Sequence, residues 1–406
     1  MSEARRKYNG PLVILMMNMF VTMVGMGLII PILPSFLQEF GGGGQAMGYL
    51  VAAFGLTQFL FSPIAGEWSD KYGRKILIVS GVGIFALSQI VFALADQMWM
   101  LYLSRLLGGL GAALLTSPMM AYIADITTVD ERAKGMGLFG ASMTLGVVIG
   151  PGIGGLLAEY GIRVPFYFAA GLAVAGTLLS LIFLPETLPP EKRIAIQQSK
   201  NGPRSTMVQQ FLASFKAPYF VLLALVFTMS FGLQNFESIF GLYFDGKLGF
   251  TPKQISLIIT FGALIGVIVQ AVLIERLLRR FGEKKVLHAC FILAGASMVV
   301  TLFVRQFAAI FAVTLLFFAA TAIIRPALNT LLSKMAGNEQ GFVAGMNTAY
   351  MSLGNIIGPS IAGILYDVNT NIPYVFGAAI LLLSTMILAN WKRTGKGEAP
   401  SSTASM

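Results

Sequence analysis

The sequence predicts an all-α integral membrane protein, with twelve membrane-spanning helices in two pseudo-symmetric bundles of six. Three observations carry that prediction. The 406 residues are 56% hydrophobic and only 11% charged, with a mean hydropathy of +0.77, against the roughly 25% charged content of soluble domains. Apolar runs of about 20 residues, the length that crosses the hydrocarbon as a helix, recur along the whole chain. The second half also repeats the first. A displacement of 208 residues lays Leu145, Gly146, Ile149, Gly150, Pro151, Ile153, Gly155 and Leu157 on Leu353, Gly354, Ile357, Gly358, Pro359, Ile361, Gly363 and Leu365. The same displacement pairs Pro118 with Pro326, Glu131 with Glu339, Gly137 with Gly345 and Pro165 with Pro373. A match of that length marks a duplicated unit, not a shared turn motif.

The first bundle, residues 1–184, takes the runs 12–37, 47–66, 76–95, 99–124, 135–158 and 164–184. The second, residues 218–392, takes 219–244, 254–274, 286–304, 307–332, 342–366 and 373–391. Between them, residues 185–217 lose hydropathy and gather Pro, Lys, Arg and Gln, which reads as a basic cytoplasmic linker suited to anionic lipid. Residues 393–406 read as a disordered cytoplasmic tail, rich in Gly, Ser and Thr. The first run is too long for a signal-peptide core and has no evident cleavage site, so it stays as span one. Cys290 is the single cysteine, which excludes an intrachain disulfide.

Charge placement sets the orientation. With both termini in the cytoplasm, only Arg163, Lys247, Lys253 and Arg305 among the 28 Lys and Arg fall outside, and Arg105 and Arg325 lie within spans. Basic residues stay on the cytoplasmic side during insertion. The net charge of +10 is therefore topology and implies no nucleic-acid partner.

Arg5, Arg6 and Lys7 anchor span one at its cytoplasmic end. Within that span Pro31 and Pro34 predict a kink and a loosened helix, since each deletes a backbone bond. The following glycines, Gly41 to Gly44, read as a flexible link without legible chemistry. Gly66-Glu67-Trp68-Ser69-Asp70-Lys71-Tyr72-Gly73-Arg74-Lys75 forms a tight charged turn between spans two and three. In span five, Gly146, Gly150 and Gly154, with Pro151 and Gly155, predict a helix whose backbone touches its neighbour and bends. Span eleven starts near Phe342 on the cytoplasmic side, where its partial positive charge can meet Asp70. Such a contact across the halves latches the cytoplasmic mouth. The matching loop of the second half keeps Gly282 and Lys284 but sets Arg279 at the Asp70 position and Glu283 at the Arg74 position, so the latch is one-sided.

Of the 18 Asp and Glu, only Glu237 falls well inside a span. Its helical neighbours Ser230, Gln234, Phe240, Gly241 and Phe244 form a small, polar and aromatic face, suited to an interior cavity. A charge in the bilayer core costs about 2.5–3.5 kcal/mol on insertion scales. Desolvation favours the neutral form of a carboxyl group, so an acid in such a place can load and release protons. The alternative is a structural acid paired with a cation or hydroxyl. Phe231, Phe236, Phe240, Tyr243 and Phe244 are candidates to line a pocket for flat cations. Asn18, Thr22, Asn347 and Asn355 are weaker candidates for polar lining. Arg105 and Arg325 each need a partner or water.

Several of these stretches resemble a known family. Gly66, Asp70, Gly73, Arg74 and Lys75 are similar to the signature loop of the major facilitator superfamily. Arg105 in Leu103-Ser104-Arg105-Leu106-Leu107-Gly108-Gly109 resembles its span-four arginine motif, and Gly146 to Gly155 its span-five antiporter motif. With Gly27 to Pro34 and Phe236-Glu237, the resemblance covers nearly the whole chain. It is closest to the twelve-span drug/proton antiporters of Gram-positive bacteria, of the NorA and Bmr type. The resemblance implies a monomeric, multi-pass exporter in the bacterial cytoplasmic membrane, with no cofactor or metal. Small-molecule substrates and protons would be its partners. It implies Glu237 as proton carrier and substrate contact, Arg105 as the residue that tunes proton affinity, and Arg325-Pro326 as the span-ten motif. Ala322 stands where relatives carry an aspartate, which implies the absence of a second carboxylate there.

The function expected from the sequence is proton-driven export of amphipathic, cationic drugs or dyes by alternating access. One alternative is export of a single solute, such as a glycolipid, a sugar or one antibiotic, on the same scaffold. Another class is a polytopic enzyme or a channel. Against an enzyme, His288 is the one histidine and no metal-ligand cluster or nucleophile-base pair is apparent. Against a channel, the duplicated chain makes its own two halves instead of a ring of repeated subunits.

Overall fold

The computed structural model describes residues 3–189, 191, 193, 207–336 and 339–391. Twelve long helices run in order: α1 Glu3–Gln38, α2 Gly44–Tyr72, α3 Arg74–Ala93, α4 Met98–Ile126, α5 Val129–Ala158 and α6 Val164–Phe183. They continue as α7 Phe220–Leu248, α8 Pro252–Phe281, α9 Glu283–Thr301, α10 Phe307–Ala336, α11 Gln340–Val368 and α12 Ile372–Asn390. A short helix, Met207–Ser214, precedes α7. Residues 194–206 of the expected linker and the expected tail, 393–406, lie outside the described residues. The helices alternate in direction. The end at which α1 begins and α12 finishes is called proximal below, and the opposite end distal.

All but α11 among the twelve have the length and apolarity of a bilayer span. Large apolar side chains on the outer helices remain bare, among them Leu178, Ile182 and Phe183 on α6 and Leu383 and Met386 on α12. A soluble protein would bury such a band; here it suits contact with lipid.

The main packing contacts of the first half recur six helices on. α1 packs on α5 and α6, α3 on α4 and α6, and α2 on α4; correspondingly α7 packs on α11 and α12, α9 on α10 and α12, and α8 on α10. The halves meet along two main seams, α2 with α11 and α5 with α8. The repeated glycines make the inner contacts possible. A Cβ on Gly150 would stand 2.9 Å from the Val24 carbonyl oxygen, and one on Gly154 2.7 Å from that of Leu28. In the second half a Cβ on Gly354 would lie 2.9 Å from the Phe227 carbonyl oxygen and one on Gly358 2.9 Å from that of Phe231. Glycines four residues apart thus let α5 and α11 press on α1 and α7, as their spacing predicts.

Two local expectations change. α1 stays helical through Pro31 and Pro34 instead of loosening; the Pro34 ring packs at the site of the missing Gly241 side chain. The charged turns are shorter than the hydropathy suggests, because α2 runs on to Tyr72 and α8, through the good helix formers Glu275 to Arg280, on to Phe281. Asp70 therefore sits in the last turn of α2, and the reversal falls to Gly73, whose φ of 111° favours glycine. Gly282, with φ 77°, does the same between α8 and α9. α8 also contains one π turn, Val269–Leu273.

Candidate functional site

A cavity of about 580 Å³ lies between the halves and runs from the level of Glu237 toward the proximal end. That volume suits a drug-sized ligand, since such pockets span roughly 300–1,000 Å³. α7 supplies Glu237, Leu233 and Met229 to its wall, one above another at four-residue spacing. α10 supplies Phe318, Thr321, Ala322, Arg325 and Asn329, the face expected for Arg325 from its spacing. α8 adds Gly262, Gly266 and Gln270, and the first half contributes α5 through Met143, Thr144, Val147 and Val148. The wall is thus mostly apolar, with one acid, one guanidinium and a few amides and hydroxyls.

Gln234 donates through Nε2 to Glu237 Oε2 at 3.2 Å. Among the described residues no ion pair joins Glu237 to Arg325, although both face the same space. Arg325 is exposed to the cavity. Both charged groups are therefore open to a ligand. Ala322 packs beside Gly266 in the cavity wall, its Cβ 3.4 Å from the place a Gly266 Cβ would take.

The aromatic lining expected around Glu237 is not there. Phe231, Phe236, Phe240, Tyr243 and Phe244 are all almost completely buried within the second bundle. Phe236 stacks on Phe317 at 4.0 Å between ring centroids and meets Tyr374 edge-on. Phe231 meets Phe376 edge-on. Phe240 and Phe244 share an approximate face with Glu237 but sit nearer the distal end, where the halves close and the cavity has ended. Met143, Met229 and Phe318 form the soft wall instead. Asn18 is also misplaced by the sequence: it donates to Ser180 Oγ at 2.6 Å, inside the first bundle between α1 and α6. Asn347 is half-buried on α11, away from the lining, with its Oδ1 unbonded among the described residues.

Arg105 is buried outside the cavity. Its Nε donates to the Leu50 carbonyl at 3.4 Å and its guanidinium lies 5.0 Å from the Phe54 ring, which ties α4 to α2. In the proximal turn Arg74 holds Asp70 at 2.5 Å, Ser69 at 3.0 Å and Asp125 at 3.3 Å. Glu186 accepts the backbone N–H groups of Arg74 and Lys75 and so caps the start of α3. A side chain at Gly73 would collide with Glu186. A Cβ on Gly66 would stand 3.1 Å from Ser117 Oγ, so that glycine lets α2 approach α4. The latch expected between Asp70 and the N-terminus of α11 falls beside residues 337 and 338 and the Gln340 side chain, which lie outside the described residues; Asp70 is seen paired with Arg74 in its own half.

The sequence reading missed Gln270, Asp125 and Glu186. Gln270 had a signal, an amide in an otherwise apolar stretch of span eight, and its π turn is a frequent mark of functional sites. Asp125 and Glu186 had none, being ordinary acids at helix ends. A second hollow of about 680 Å³ lies at the proximal end beside Lys216, Tyr219, Glu339 and Phe342. Its acid is engaged: Tyr219 donates to Glu339 at 3.0 Å. Burial and that bond push the Tyr219 hydroxyl up to about 12, so it remains the donor.

Residues 15–273 and 222–405 match the family model described as the Major Facilitator Superfamily. Multidrug resistance protein 2 of Bacillus subtilis is 42% identical over 380 residues, covering 94% of each chain. Quinolone resistance protein NorA of Staphylococcus aureus is 33% identical over 381 residues, 94% of this chain and 96% of that one. Among solved structures, a point mutant of the peptide transporter POT in complex with sulfate superposes with a TM-score of 0.75 at 15% identity, covering 96% of this chain and 98% of that one.

Proposed function

Since the chain belongs to the major facilitator superfamily, a family of transporters and not enzymes, we propose that it exports amphipathic drugs or dyes, chiefly cationic ones, in exchange for protons by alternating access. It is a multi-pass membrane transporter of small molecules, and its relatives at 33–42% identity carry names of multidrug and quinolone resistance. The single observation that carries the finer reading is Glu237, an acid that faces a drug-sized cavity between the halves.

By the distribution of Lys and Arg, the proximal end is cytoplasmic and both termini lie inside, in a bacterial cytoplasmic membrane. The cavity extends from Glu237 toward that side, which suits uptake of a substrate from the cell. A cation reaching Glu237 displaces its proton and takes the carboxylate as counter-ion. Its apolar body lies along Met143, Met229 and Phe318. The bundles 1–184 and 218–392 then rock about their seams, with 185–217 as the link, and the cavity opens outward. There a proton from outside neutralises Glu237, the cation loses its partner and leaves. Arg325, in the same cavity, sets a guanidinium in its wall, open to an anionic group of a bound substrate. Arg105 holds α2 to α4, so its effect on proton affinity reaches Glu237 through the seams. Cavity and seams are made within one chain, which supports a monomer as the working unit.

The test uses everted membrane vesicles energised with an inward-acid pH gradient and a panel of dyes and antibiotics. Wild-type protein dissipates part of the gradient on addition of each substrate, and Glu237→Gln does not while still folding and inserting. Coupled exchange at the normal rate in Glu237→Gln contradicts the reading.

A further inference from the structure

The distal closure is built twice, from the same repeat positions. In the first seam Ser256 donates to the Pro151 carbonyl at 2.7 Å, Gly155 lies against Ser256, and Lys253 pairs with Glu159 at 2.8 Å. Advancing Pro151, Gly155 and Glu159 by the 208-residue displacement gives Pro359, Gly363 and Asp367; carrying Lys253 and Ser256 back gives Gln45 and Gly48. Those residues form the second seam. Gly48 lies on the Pro359 carbonyl, Gly363 lies on the backbone of Gly44, and Asp367 reaches the start of α2. One carboxylate oxygen of Asp367 accepts the Gly44 N–H at 2.7 Å and the other accepts the Gln45 N–H at 2.8 Å. The second half therefore places its acid four residues beyond the last glycine, as the first half does, and aims it at the same residue of the opposing helix.

The two contacts differ in strength. Lys253 and Glu159 are each half exposed, and an ion pair of that kind contributes little. Asp367, though itself exposed, instead accepts from two otherwise unpaired backbone donors held in place at a helix N-terminus, with the partial positive charge of that end added. Gly43 and Gly44 keep side chains out of the way: a Cβ on Gly43 would stand 2.7 Å from Asp367 Oδ1 and one on Gly44 2.8 Å from the Gly363 carbonyl oxygen.

We propose that Asp367, seated on the N-terminus of α2, is the principal latch of the distal gate, with the Glu159–Lys253 pair as its weaker twin. Its role is positioning: it holds the two halves together at the distal end and touches no substrate. The inference rests on the alternating-access reading, since a latch matters only if the distal end opens. It also explains why Gly43 and Gly44 stand at the start of α2.

The experiment places spin labels on the full-length protein at Tyr160→Cys and Phe303→Cys, in a Cys290→Ser background. Both sites are distal, lie in opposite halves and are largely exposed, at 82% and 79% for Tyr160 and Phe303 respectively. Inter-label distances are read in lipid nanodiscs. Asp367→Ala is expected to raise the ratio of long to short distances about ten-fold, the scale of losing hydrogen bonds to a charged group. Gln45→Pro deletes one donor at a helix position that tolerates proline, and is expected to raise the ratio in the same direction. Added to Asp367→Ala it should change nothing further. Glu159→Ala should produce a smaller shift. Two distance populations whose ratio ignores both Asp367→Ala and Gln45→Pro overturn the latch and leave alternating access intact. A single population in every variant, with or without substrate, overturns alternating access itself and the latch with it. A fall in melting temperature without a change in distances assigns Asp367 a structural part only and rejects the proposal.

Discussion

A methyl group on Gly48 should open the distal end without weakening either bundle. The Cβ of Gly48→Ala would stand 2.9 Å from the Pro359 carbonyl carbon and 3.2 Å from the Gly363 Cα, and would overlap the Pro359 carbonyl oxygen. Carbon atoms in contact sit at about 3.5–4.0 Å, so α2 has to retreat by roughly 0.6 Å or more. The obstacle is backbone and cannot swing aside. Overpacking of this kind costs about 1–3 kcal/mol, or about a 5- to 150-fold change in the ratio of distal-closed to distal-open protein. The helix itself gains, because alanine exceeds glycine in helix propensity by about 1 kcal/mol, and it gains equally in both states. The net effect is thus on the ratio and not on the fold. Spin-label distances between Tyr160→Cys and Phe303→Cys read that ratio. Gly137→Ala, with no atom within 4 Å of its new Cβ, serves as control and should leave the ratio unchanged. An unaltered distance distribution in Gly48→Ala would refute the claim that this glycine seam is an interface made only in the closed state.

Two further substitutions separate scaffold from site. Asn18→Ala removes the 2.6 Å bond to Ser180 and should cost about 1–3 kcal/mol of stability, measured as a lower unfolding temperature, with the substrate range unaltered; a changed range would return Asn18 to the cavity wall. Phe236→Ala empties a site that is 0% exposed and should cost about 3–5 kcal/mol, read as poor yield or thermal instability, whereas Phe318→Ala should alter dye affinity with a smaller loss of stability.

The sequence revealed the duplication, and with it most of the architecture. Gly146, Gly150 and Gly154 and their copies Gly354 and Gly358 announced close helix contacts, because close approach requires the absence of a side chain and that absence is visible in a sequence. Glu237 stood out for a similar reason, as a lone acid among apolar neighbours, and Thr321, Ala322 and Asn329 followed from Arg325 by helical spacing. The aromatic residues could not be assigned in this way. Phe240 and Phe244 differ from Leu233 and Met229 less in helical angle than in height, and whether a given height is open or closed depends on how two bundles lean on each other. Asp367 was missed because its partners are backbone N–H groups, which every residue possesses, and Gly43 and Gly44 carried no visible sign of the carboxylate they admit.

The most direct test of the central claim is a count of protons released when substrate binds to purified protein in weakly buffered solution, followed with a pH-sensitive dye. The account predicts release of about one proton per cationic dye bound by the protonated wild type, and binding without release, or no binding, in Glu237→Gln. Proton release that persists undiminished in Glu237→Gln would show that another group does the exchanging.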